Sequence, residues 1–322
     1  MIRKKFTRIL VAAMFLLHLP LQAEDIDLFS LPPGTGTSVA NVLFLVDNTA
    51  NWNQPFTNEK AALVNVFNAL PTNTDGTARI NVGIMLFTET GVGKGNDTDD
   101  GGYIRAAIRP MNTANRAKYS ALINSFDKIG DQSNGGKIST AMAEAYYYFS
   151  SGTPYAGDNK VKTDYTGNTS GTAASNAVYA LTGNALSGIA GKQYAGPTPG
   201  GCANNYIIYI SNGNPSDANS DVSTARAMLA AAGGSTTQIV VSPALQKDVL
   251  GDEWARFMKQ STQRITTYTL DIDKKLNGNG PAFTAQLKSM AGVRGGKYFG
   301  LRSGGPQNIA GALNTVLGEI LA

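Results

Sequence analysis

The apolar residues of this chain follow two different spacings that alternate along its length. Continuous apolar runs occur at residues 41–46 (NVLFLV) and 80–87 (INVGIMLF), and they have the composition of strands that are covered on both faces. After each run, apolar residues recur every three or four positions, which is the spacing of one face of a helix. Strands that alternate with helices predict a parallel sheet with helices packed on both of its faces.

The same alternation continues to the end of the chain. Further strands are predicted at residues 103–109, 206–210, 239–242, 265–272 and 297–301. Helices are predicted around residues 63–70, 119–129, 138–149, 222–232, 254–259, 283–291 and 309–320. We therefore expect a doubly wound, mostly parallel α/β sheet of the Rossmann-like type, in a single domain that spans residues 40–322.

One long segment interrupts this pattern. Residues 150–201 are rich in Gly, Ala, Ser, Thr and Asn and contain too few large apolar residues to build a core. We expect a surface insertion with low sequence complexity, and one weak helix around residues 175–180.

Residues 1–23 have the pattern of a secretory signal peptide. Four basic residues precede an apolar run at residues 9–17, and Ala23 supplies the small residue that a signal peptidase prefers. The alternative is a membrane anchor, but the run is shorter than the roughly 20 residues of a spanning helix. We expect cleavage before Glu24, a leader or linker at residues 24–39, and a secreted bacterial protein.

Loss of this segment changes the charge and the candidate chemistry. It holds four of the 27 basic residues, and the remaining 23 equal the 23 acidic residues, so no excess charge favours nucleic acid. His18 is the only histidine, and its removal argues against Ser-His-Asp and Cys-His catalysis and against imidazole-bound zinc.

Cys202 is the only cysteine, so it forms no intramolecular disulfide; it is a buried apolar residue or pairs with another chain.

A single carboxylate follows the most apolar strand. Asp47 comes directly after residues 41–46, with the short polar residues Thr49 and Asn51 behind it. Ligands of doubly wound sheets bind outside the carboxyl ends of the strands, at the point where the strand order reverses. Because an unpaired buried carboxylate is costly, the neighbours of Asp47 must supply hydrogen-bond donors or a cation.

Several segments carry a resemblance to a known family. DNTAN at residues 47–51 resembles the Asp-x-Ser-x-Ser signature of von Willebrand factor A domains, and YIIYISNG at 206–213 resembles their second metal strand. The order and spacing of CANNYIIYISNGNPSD, WARFMKQSTQRITTYTLDID and LKSMAGVRGGKYF resemble the amino-terminal domain of the PilC/PilY family. This resemblance covers residues 41–322 and implies a von Willebrand factor A-like fold.

The resemblance also implies a function. PilC/PilY proteins are type IV pilus biogenesis proteins and tip adhesins, so we expect a secreted, non-enzymatic binding module in pilus assembly or pilus-tip adhesion. Its location would be the periplasm, the outer surface or the pilus tip. Its partners would be pilus components such as minor pilins, or surface and host ligands. The family usually continues into a carboxyl-terminal β-propeller; a short paralogue, a split gene and a truncated frame all stay open here.

The family's metal position is altered in this sequence. Von Willebrand factor A domains hold Mg²⁺ there, and the resemblance assigns the metal ligands to Asp47, Thr49, Asn51 and Asn212. Asn51 replaces a serine and Asn212 replaces an aspartate, so the formal charge of the site falls from about −2 to about −1. At the family's metal-contacting threonine, the turn SNGGKIST offers Gly136 or Lys137.

We therefore expect a degenerate metal site and no cofactor. The alternative is a weak Mg²⁺ or Ca²⁺ site, because four residues still offer oxygen ligands. If Lys137 turns inward, its ammonium would take the metal's place and pair with Asp47. Asp271 and Asp273 follow a strand at the same edge, where they form a turn or add charge to the cleft.

Two other classes of function compete with the pilus assignment. One is a free-standing secreted von Willebrand A-type adhesion or protein-interaction module unrelated to pili. The other is an enzyme, which is disfavoured because the sequence shows no usable histidine, paired buried acids or activated nucleophile.

Overall fold

The computed structural model describes residues 39–49, 54–88, 100–158, 162, 164, 177–186, 193–197, 204–211, 213–272, 280–293, 295–301 and 304–322. The strands within these residues are β1 (Ala40–Val46), β2 (Ile80–Phe87), β3 (Gly102–Pro110), β4 (Asn205–Ser211), β5 (Thr266–Asp271) and β6 (Tyr298–Gly300). The α-helices are α1 (Pro55–Ala69), α2 (Thr113–Asn124), α3 (Ile138–Phe149), α4 (Asn219–Ala231), α5 (Gly251–Gln260), α6 (Gly280–Gly292) and α7 (Pro306–Leu321).

The six strands form one sheet in the order β3-β2-β1-β4-β5-β6. All neighbouring strands are parallel except β2 and β3, which are antiparallel. This confirms the predicted doubly wound, mostly parallel fold of the Rossmann-like and von Willebrand factor A-like type. The strand order reverses between β1 and β4, so the switch point lies at the carboxyl ends of these two strands.

Helices cover both faces of the sheet because the central strands are apolar on both sides. On one face, Phe44 of β1 packs in a core with residues of α1, α2 and α7, such as Phe67 and Leu313. On the other face, Leu45 packs in a second core with residues of α3, α5 and α6, such as Trp254. Successive side chains of a strand point to opposite faces, so the run at residues 41–46 supplies both cores.

Two sequence predictions are wrong at particular residues. The helix predicted to reach Ile129 ends at Asn124, and Ile129 is 72% exposed. The reason is local, because the Asp127 carboxylate accepts the backbone N–H groups of Ile129 (2.8 Å) and Gly130 (2.7 Å) and forms a turn instead of a further helical turn. The strand predicted at residues 239–242 is absent, because no described strand lies beside this segment to pair with it.

The described parts of the predicted insertion pack more closely on the domain than their composition indicates. Ala156, Leu186 and Tyr194 are buried, and a short 3₁₀ turn at Ala177–Ala180 occurs where the weak helix is predicted. The N–H of Asp164 donates to the carbonyl of Ile104 in β3 (3.0 Å), and the Asp164 carboxylate accepts the N–H of Ala107, so these bonds occupy the outer edge of β3. The insertion therefore covers an edge of the sheet.

The predicted signal peptide, the leader up to residue 38, and Cys202 lie outside the described residues. Among the helices that are described, none is both long and apolar enough to cross a membrane.

Candidate functional site

The candidate site begins where β1 and β4 end side by side. The backbone N–H of Asp47 donates to the carbonyl of Ile210 (2.9 Å) and extends the pairing of the two strands by one residue. This bond brings the Asp47 side chain next to Ser211, the last residue of β4. Asp47 is only 2% exposed and Ser211 is fully buried, so the carboxylate lies inside the protein at the switch point.

The Asp47 carboxylate is satisfied in part by its own neighbours. Its Oδ1 accepts the backbone N–H of Thr49 at 3.0 Å and the Thr49 hydroxyl at 2.5 Å. Its Oδ2 accepts a longer bond from the Ser211 hydroxyl at 3.4 Å. The backbone therefore turns around the carboxylate in the manner of an Asx turn. Burial, together with the nearby charge of Asp47, holds the pKa of the Tyr209 phenol well above its ordinary value.

Asn48 holds the loops around this carboxylate in place, and sequence reasoning missed it. Its side-chain Oδ1 accepts the N–H of Phe87 (2.8 Å), and its Nδ2 donates to the carbonyls of Phe87 (3.2 Å) and Asp131 (2.8 Å). Its own carbonyl accepts the N–H of Ser133 at 2.8 Å. One buried amide thus ties the ends of β1 and β2 to the turn before α3. A polar residue directly after Asp47 was the available signal, but its partners are distant in sequence.

Gly136, and not Lys137, lies at the position that faces Thr49. A Cβ atom on Gly136 would lie 3.4 Å from Cγ2 and 4.0 Å from Oγ1 of Thr49. Gly213 lines the opposite side, where a Cβ would lie 4.0 Å from Oδ2 of Asp47. Two glycines therefore border the Asp47–Thr49 pair without contributing side-chain oxygens. We call Asp47, Thr49, Gly136, Ser211 and Gly213 the Asp47 pocket.

The hypothesis that Lys137 pairs with Asp47 is wrong. The Lys137 ammonium donates to the carbonyl of Ser216 (2.9 Å) and forms an ion pair with Asp221 of α4 (3.2 Å). Lys137 is the residue that precedes the first turn of α3, and this position directs its side chain toward α4 and away from the pocket. The pair links the two helices that flank the carboxyl edge of the sheet.

Two further acids near this edge have structural partners. Asp217 accepts the N–H groups of Ile138 (3.1 Å) and Ser139 (2.9 Å) and so caps α3, although burial raises the pKa of its carboxyl. Asp271 is buried and accepts the hydroxyls of Thr284 (2.7 Å) and Tyr298 (2.9 Å). Asp271 therefore does not add charge to the mouth of a cleft; Asp273 lies outside the described residues.

A pair of buried acids, which the sequence did not reveal, lies at the start of α5. Asp252 accepts Gln286 Nε2 (2.7 Å) and the Ser289 hydroxyl (2.6 Å), and Glu253 accepts the N–H of Ile239 (2.7 Å). Burial and the adjacent Asp252 raise the pKa of Glu253 to about 8. Asp252 is thus bonded to a side-chain amide and to a serine hydroxyl of α6, and Glu253 to a backbone N–H group.

The described residues of the Asp47 pocket fit a protein-bound Mg²⁺ poorly. Mg²⁺ requires near-octahedral oxygen coordination, whereas Gly136 and Gly213 supply no side-chain ligand and Oδ1 of Asp47 already accepts two bonds from Thr49. Among the residues that are described, no group of three or more His, Cys, Asp or Glu side chains could hold a metal ion. The other two predicted ligands, Asn51 and Asn212, lie outside the described residues.

A cleft opens beside the pocket at the same edge of the sheet. Its volume is about 650 Å³, and its walls include residues 214–217 after β4 and residues 280–283 at the start of α6. Lys247 also lines it and donates to the carbonyl of Asp217 (2.7 Å). We call this space the carboxyl-edge cleft. Its walls are loops and helix starts, which is where doubly wound proteins bind their ligands.

Comparisons with known proteins give structural likenesses only. No family model and no curated protein matches the sequence. Among solved structures, proximal thread matrix protein 1 from the mussel byssus is 11% identical with a TM-score of 0.45, and it is matched over 86% of this chain and 47% of that chain. The open conformation of the pilus adhesin SpaC from Lactobacillus rhamnosus GG is 10% identical with a TM-score of 0.48, over 89% and 30% of the two chains.

The PilB minor pilin from Streptococcus sanguinis is 9% identical with a TM-score of 0.43, over 90% of this chain and 63% of that chain. This chain thus spans less than two thirds of the length of each of these three proteins. At such identities and TM-scores these likenesses carry no argument about function.

Proposed function

We propose that this chain is a secreted, non-enzymatic binding module that acts in type IV pilus assembly or at the pilus tip. It contacts its partner through the loops at the carboxyl edge of its sheet, and it does so without a bound metal. The pilus assignment is supported by the ordered resemblance of residues 41–322 to the PilC/PilY amino-terminal domain. The location of the contact is supported by the switch point and the carboxyl-edge cleft beside it.

One observation carries the metal-independent part of this proposal. Thr49 satisfies Oδ1 of Asp47 with two hydrogen bonds, and Gly136 stands where the resemblance implies a metal-contacting threonine. The carboxylate is therefore held by protein donors. The loops around it remain at the carboxyl edge of the sheet, where a partner can contact them. A module of this kind binds its partner through protein groups alone, without a metal ion that bridges the two proteins.

A non-enzymatic role is supported by the use of the buried acids. Glu144 accepts backbone N–H groups of Tyr155, Ala156 and Gly157 together with the Tyr194 hydroxyl, and Asp164 pairs with Arg109. These carboxylates join the inserted residues to the domain. Each is committed to a structural bond, so none is arranged as a general acid or base beside a nucleophile.

The pilus assignment is tested in the bacterium that encodes the chain. An epitope-tagged copy is followed by immunoblot in pili that are sheared from the cell surface, and a deletion strain is scored for piliation and twitching motility. A strain without pili controls for unspecific release. The proposal predicts the protein in the sheared fraction or loss of piliation on deletion. Absence from sheared pili with normal piliation and motility would support the free-standing module instead.

The position of the contact surface is tested by complementation of the deletion strain. Ala282→Trp places a large side chain in the carboxyl-edge cleft, and Ala117→Trp places the same side chain on the exposed surface of α2 as a matched control. The proposal predicts that Ala117→Trp restores function and Ala282→Trp does not, although both proteins fold. Full rescue by Ala282→Trp would place the contact elsewhere.

A further inference from the structure

A polar pocket lies at the amino edge of the sheet, at the other end of the strands from the carboxyl-edge cleft. Its volume is about 380 Å³, and it lies where β4 and β5 begin and where α5 ends. Its walls include two cations, Lys259 and Arg264, and the side-chain amides of Asn204, Asn205 and Gln260. No carboxylate lines the pocket among the described residues, so its formal charge is about +2.

Arg264 has a backbone conformation that residues with a side chain disfavour. Its φ of 49° lies in the left-handed region, where glycine is the usual residue. The turn after α5 fixes this conformation, because the N–H of Arg264 donates to the carbonyl of Ser261 (3.1 Å) and the N–H of Ile265 donates to that of Met258 (3.1 Å). A glycine would relieve the strain, but it would remove a cation from the pocket.

The two cations are not used to stabilise the end of the helix. Cations that follow a helix commonly bond to its last carbonyls. The Arg264 guanidinium is exposed and forms no hydrogen bond or ion pair with any described residue. The Lys259 ammonium donates to the Thr266 hydroxyl (2.6 Å), which also lines the pocket. Both side chains therefore supply their charge to the pocket.

A row of amides holds the base of the pocket in place. Asn81 donates to Asn41 (2.9 Å), Asn41 donates to Asn205 (3.0 Å), and Asn205 donates to the carbonyl of Gln263 (2.8 Å). The three asparagines occupy paired positions on β2, β1 and β4. The last bond also anchors the turn that carries Arg264. The pocket is therefore ordered before a ligand arrives, which lowers the entropic cost of binding.

The lining indicates the chemical class of the ligand. The cations match a carboxylate, and a planar guanidinium can bond to both carboxylate oxygens. The side-chain amides of Asn204 and Gln260 bond to no described residue, and each offers both donors and an acceptor, as the hydroxyl groups of a sugar do. The half-buried ring of Tyr206 adds an apolar face on which a sugar ring can lie.

Two other anions fit these walls less well. A phosphate group offers mainly acceptors, so it would leave the amide oxygens without a donor. The carboxyl terminus of a peptide carries a side chain, yet no Ala, Val, Leu, Ile or Met residue lines the described pocket to receive it. A volume of about 380 Å³ is near the lower limit for small-molecule sites, which suits a single sugar unit.

We propose that this pocket binds an acidic sugar, that is, a hydroxyl-rich ring that carries one carboxylate. Arg264 and Lys259 bind the carboxylate, and Asn204 and Gln260 bind hydroxyl groups. A free uronic acid and the terminal unit of an acidic polysaccharide present the same groups to the pocket. The site does not depend on the Asp47 pocket or on the pilus assignment.

The site is tested by titration of the purified chain with matched small molecules, followed by ligand-observed NMR. The probes are glucuronate, galacturonate and mannuronate, with the neutral parent sugar and the sugar 6-phosphate of each, and trialanine as a peptide carboxylate. At least one uronate is expected to bind with a Kd of about 1 mM or less, and about tenfold more tightly than its neutral sugar, its 6-phosphate and trialanine. A linear tetramer of that uronate then separates the sources: it binds if the site accepts a polysaccharide end, and it fails to bind if the site accepts only the free sugar.

Three variants test the residues that the proposal names. Arg264→Gln is expected to weaken the uronate about tenfold, whereas Arg79→Gln removes the same charge from an exposed arginine at the start of β2 and should bind as the wild type does. Arg264→Gly also removes the cation, but it relieves the left-handed conformation, and it should weaken binding equally. Thermal melting confirms that the variants fold. No bound uronate, tighter binding of a 6-phosphate or of trialanine, or equal affinities of Arg264→Gln and Arg79→Gln would overturn the proposal.

Discussion

Thr49 donates two hydrogen bonds to one oxygen of Asp47, from its backbone N–H at 3.0 Å and from its hydroxyl at 2.5 Å. Bonds from protein donors to an ionised carboxylate are stronger than bonds between neutral groups. The buried acid at the switch point is therefore stabilised by the turn that follows it. This arrangement explains how the pocket can keep its shape without a metal ion beside Asp47.

Substitutions of Asp47 should separate the hydrogen bonds from the charge. Asp47→Asn keeps the oxygen that accepts both bonds from Thr49, and it is expected to change the free energy of unfolding by less than about 1 kcal/mol. Asp47→Ala leaves the two buried donors of Thr49 without this acceptor and is expected to lower the free energy of unfolding by about 1–3 kcal/mol. Urea denaturation measures both values. Equal losses in the two variants would mean that the charge, and not the hydrogen bonds, holds the turn.

The ion pair between Arg109 and Asp164 should be the main attachment of the inserted residues. Arg109 on β3 contacts Asp164 at 2.9 and 3.1 Å, and both side chains are buried. Asp164→Ala leaves the guanidinium buried without its charged partner, and it is expected to lower the free energy of unfolding by about 3–5 kcal/mol. Lys297→Ala breaks an ion pair whose lysine is 60% exposed, and it is expected to cost less than about 1 kcal/mol.

Chemical denaturation measures both variants, and limited proteolysis locates the change. Asp164→Ala should accelerate cleavage within residues 150–201, whereas Lys297→Ala should leave the cleavage pattern unchanged. Similar stability losses in the two variants would contradict the role of the buried pair.

Glu144 should make the stability of the domain depend on pH. Burial raises the pKa of its carboxyl to about 7, although bonds from Tyr194 and the backbone of residues 155–157 oppose this shift. The ordinary value is 4.5, so the folded state binds the proton more tightly than the unfolded state. The contribution of Glu144 to the free energy of unfolding is therefore greatest below pH 4.5, and it declines as the pH rises to about 7.

The matched variant is Glu144→Gln, which cannot ionise. When the pH rises from 4.5 to 7, the free energy of unfolding of the wild type is expected to fall by up to about 3 kcal/mol more than that of Glu144→Gln. Glu253, Asp164 and Asp217 have raised pKa values in both proteins, so the difference between the two proteins isolates Glu144. Parallel stability profiles would show that the Glu144 pKa is not raised in the folded protein.

Introduction of the ligands that von Willebrand factor A domains use should create a metal site at Asp47. Asn51→Ser, Gly136→Thr and Asn212→Asp together supply two hydroxyls and a carboxylate. A side chain at Gly136 meets no backbone obstruction, because its Cβ would make ordinary contacts at 3.4 Å or more. The triple variant is expected to bind Mg²⁺ at least about tenfold more tightly than the wild type. The same triple variant with Asp47→Ala is the control and should not bind.

The sheet was largely predictable because its signal is local. The bounds of β2 and of α3 match the apolar patterns at residues 80–87 and 138–149. The failures have physical causes that the apolar pattern does not contain. Ile129 has helical spacing, but the Asp127 side chain turns the backbone first, and residues 239–242 have strand composition without a neighbouring strand.

The candidate site was predictable in position but not in detail. An acid after the central strand of a doubly wound sheet indicated Asp47. The sequence could not show which of Gly136 and Lys137 faces Thr49, because this depends on the path of the loop before α3. A shift of one residue in that loop exchanges the two positions. Asn48 and the buried pair of Asp252 and Glu253 act through partners far away in sequence, and the sequence contains no local signal for such contacts.

Calorimetric titration of the purified wild-type chain with Mg²⁺ tests the central claim most directly. We expect no saturable binding tighter than about 1 mM, because Thr49 already donates two bonds to the Asp47 carboxylate and the two glycines beside it supply no side-chain ligand. Micromolar binding that disappears in Asp47→Ala would contradict the account and identify a working metal site.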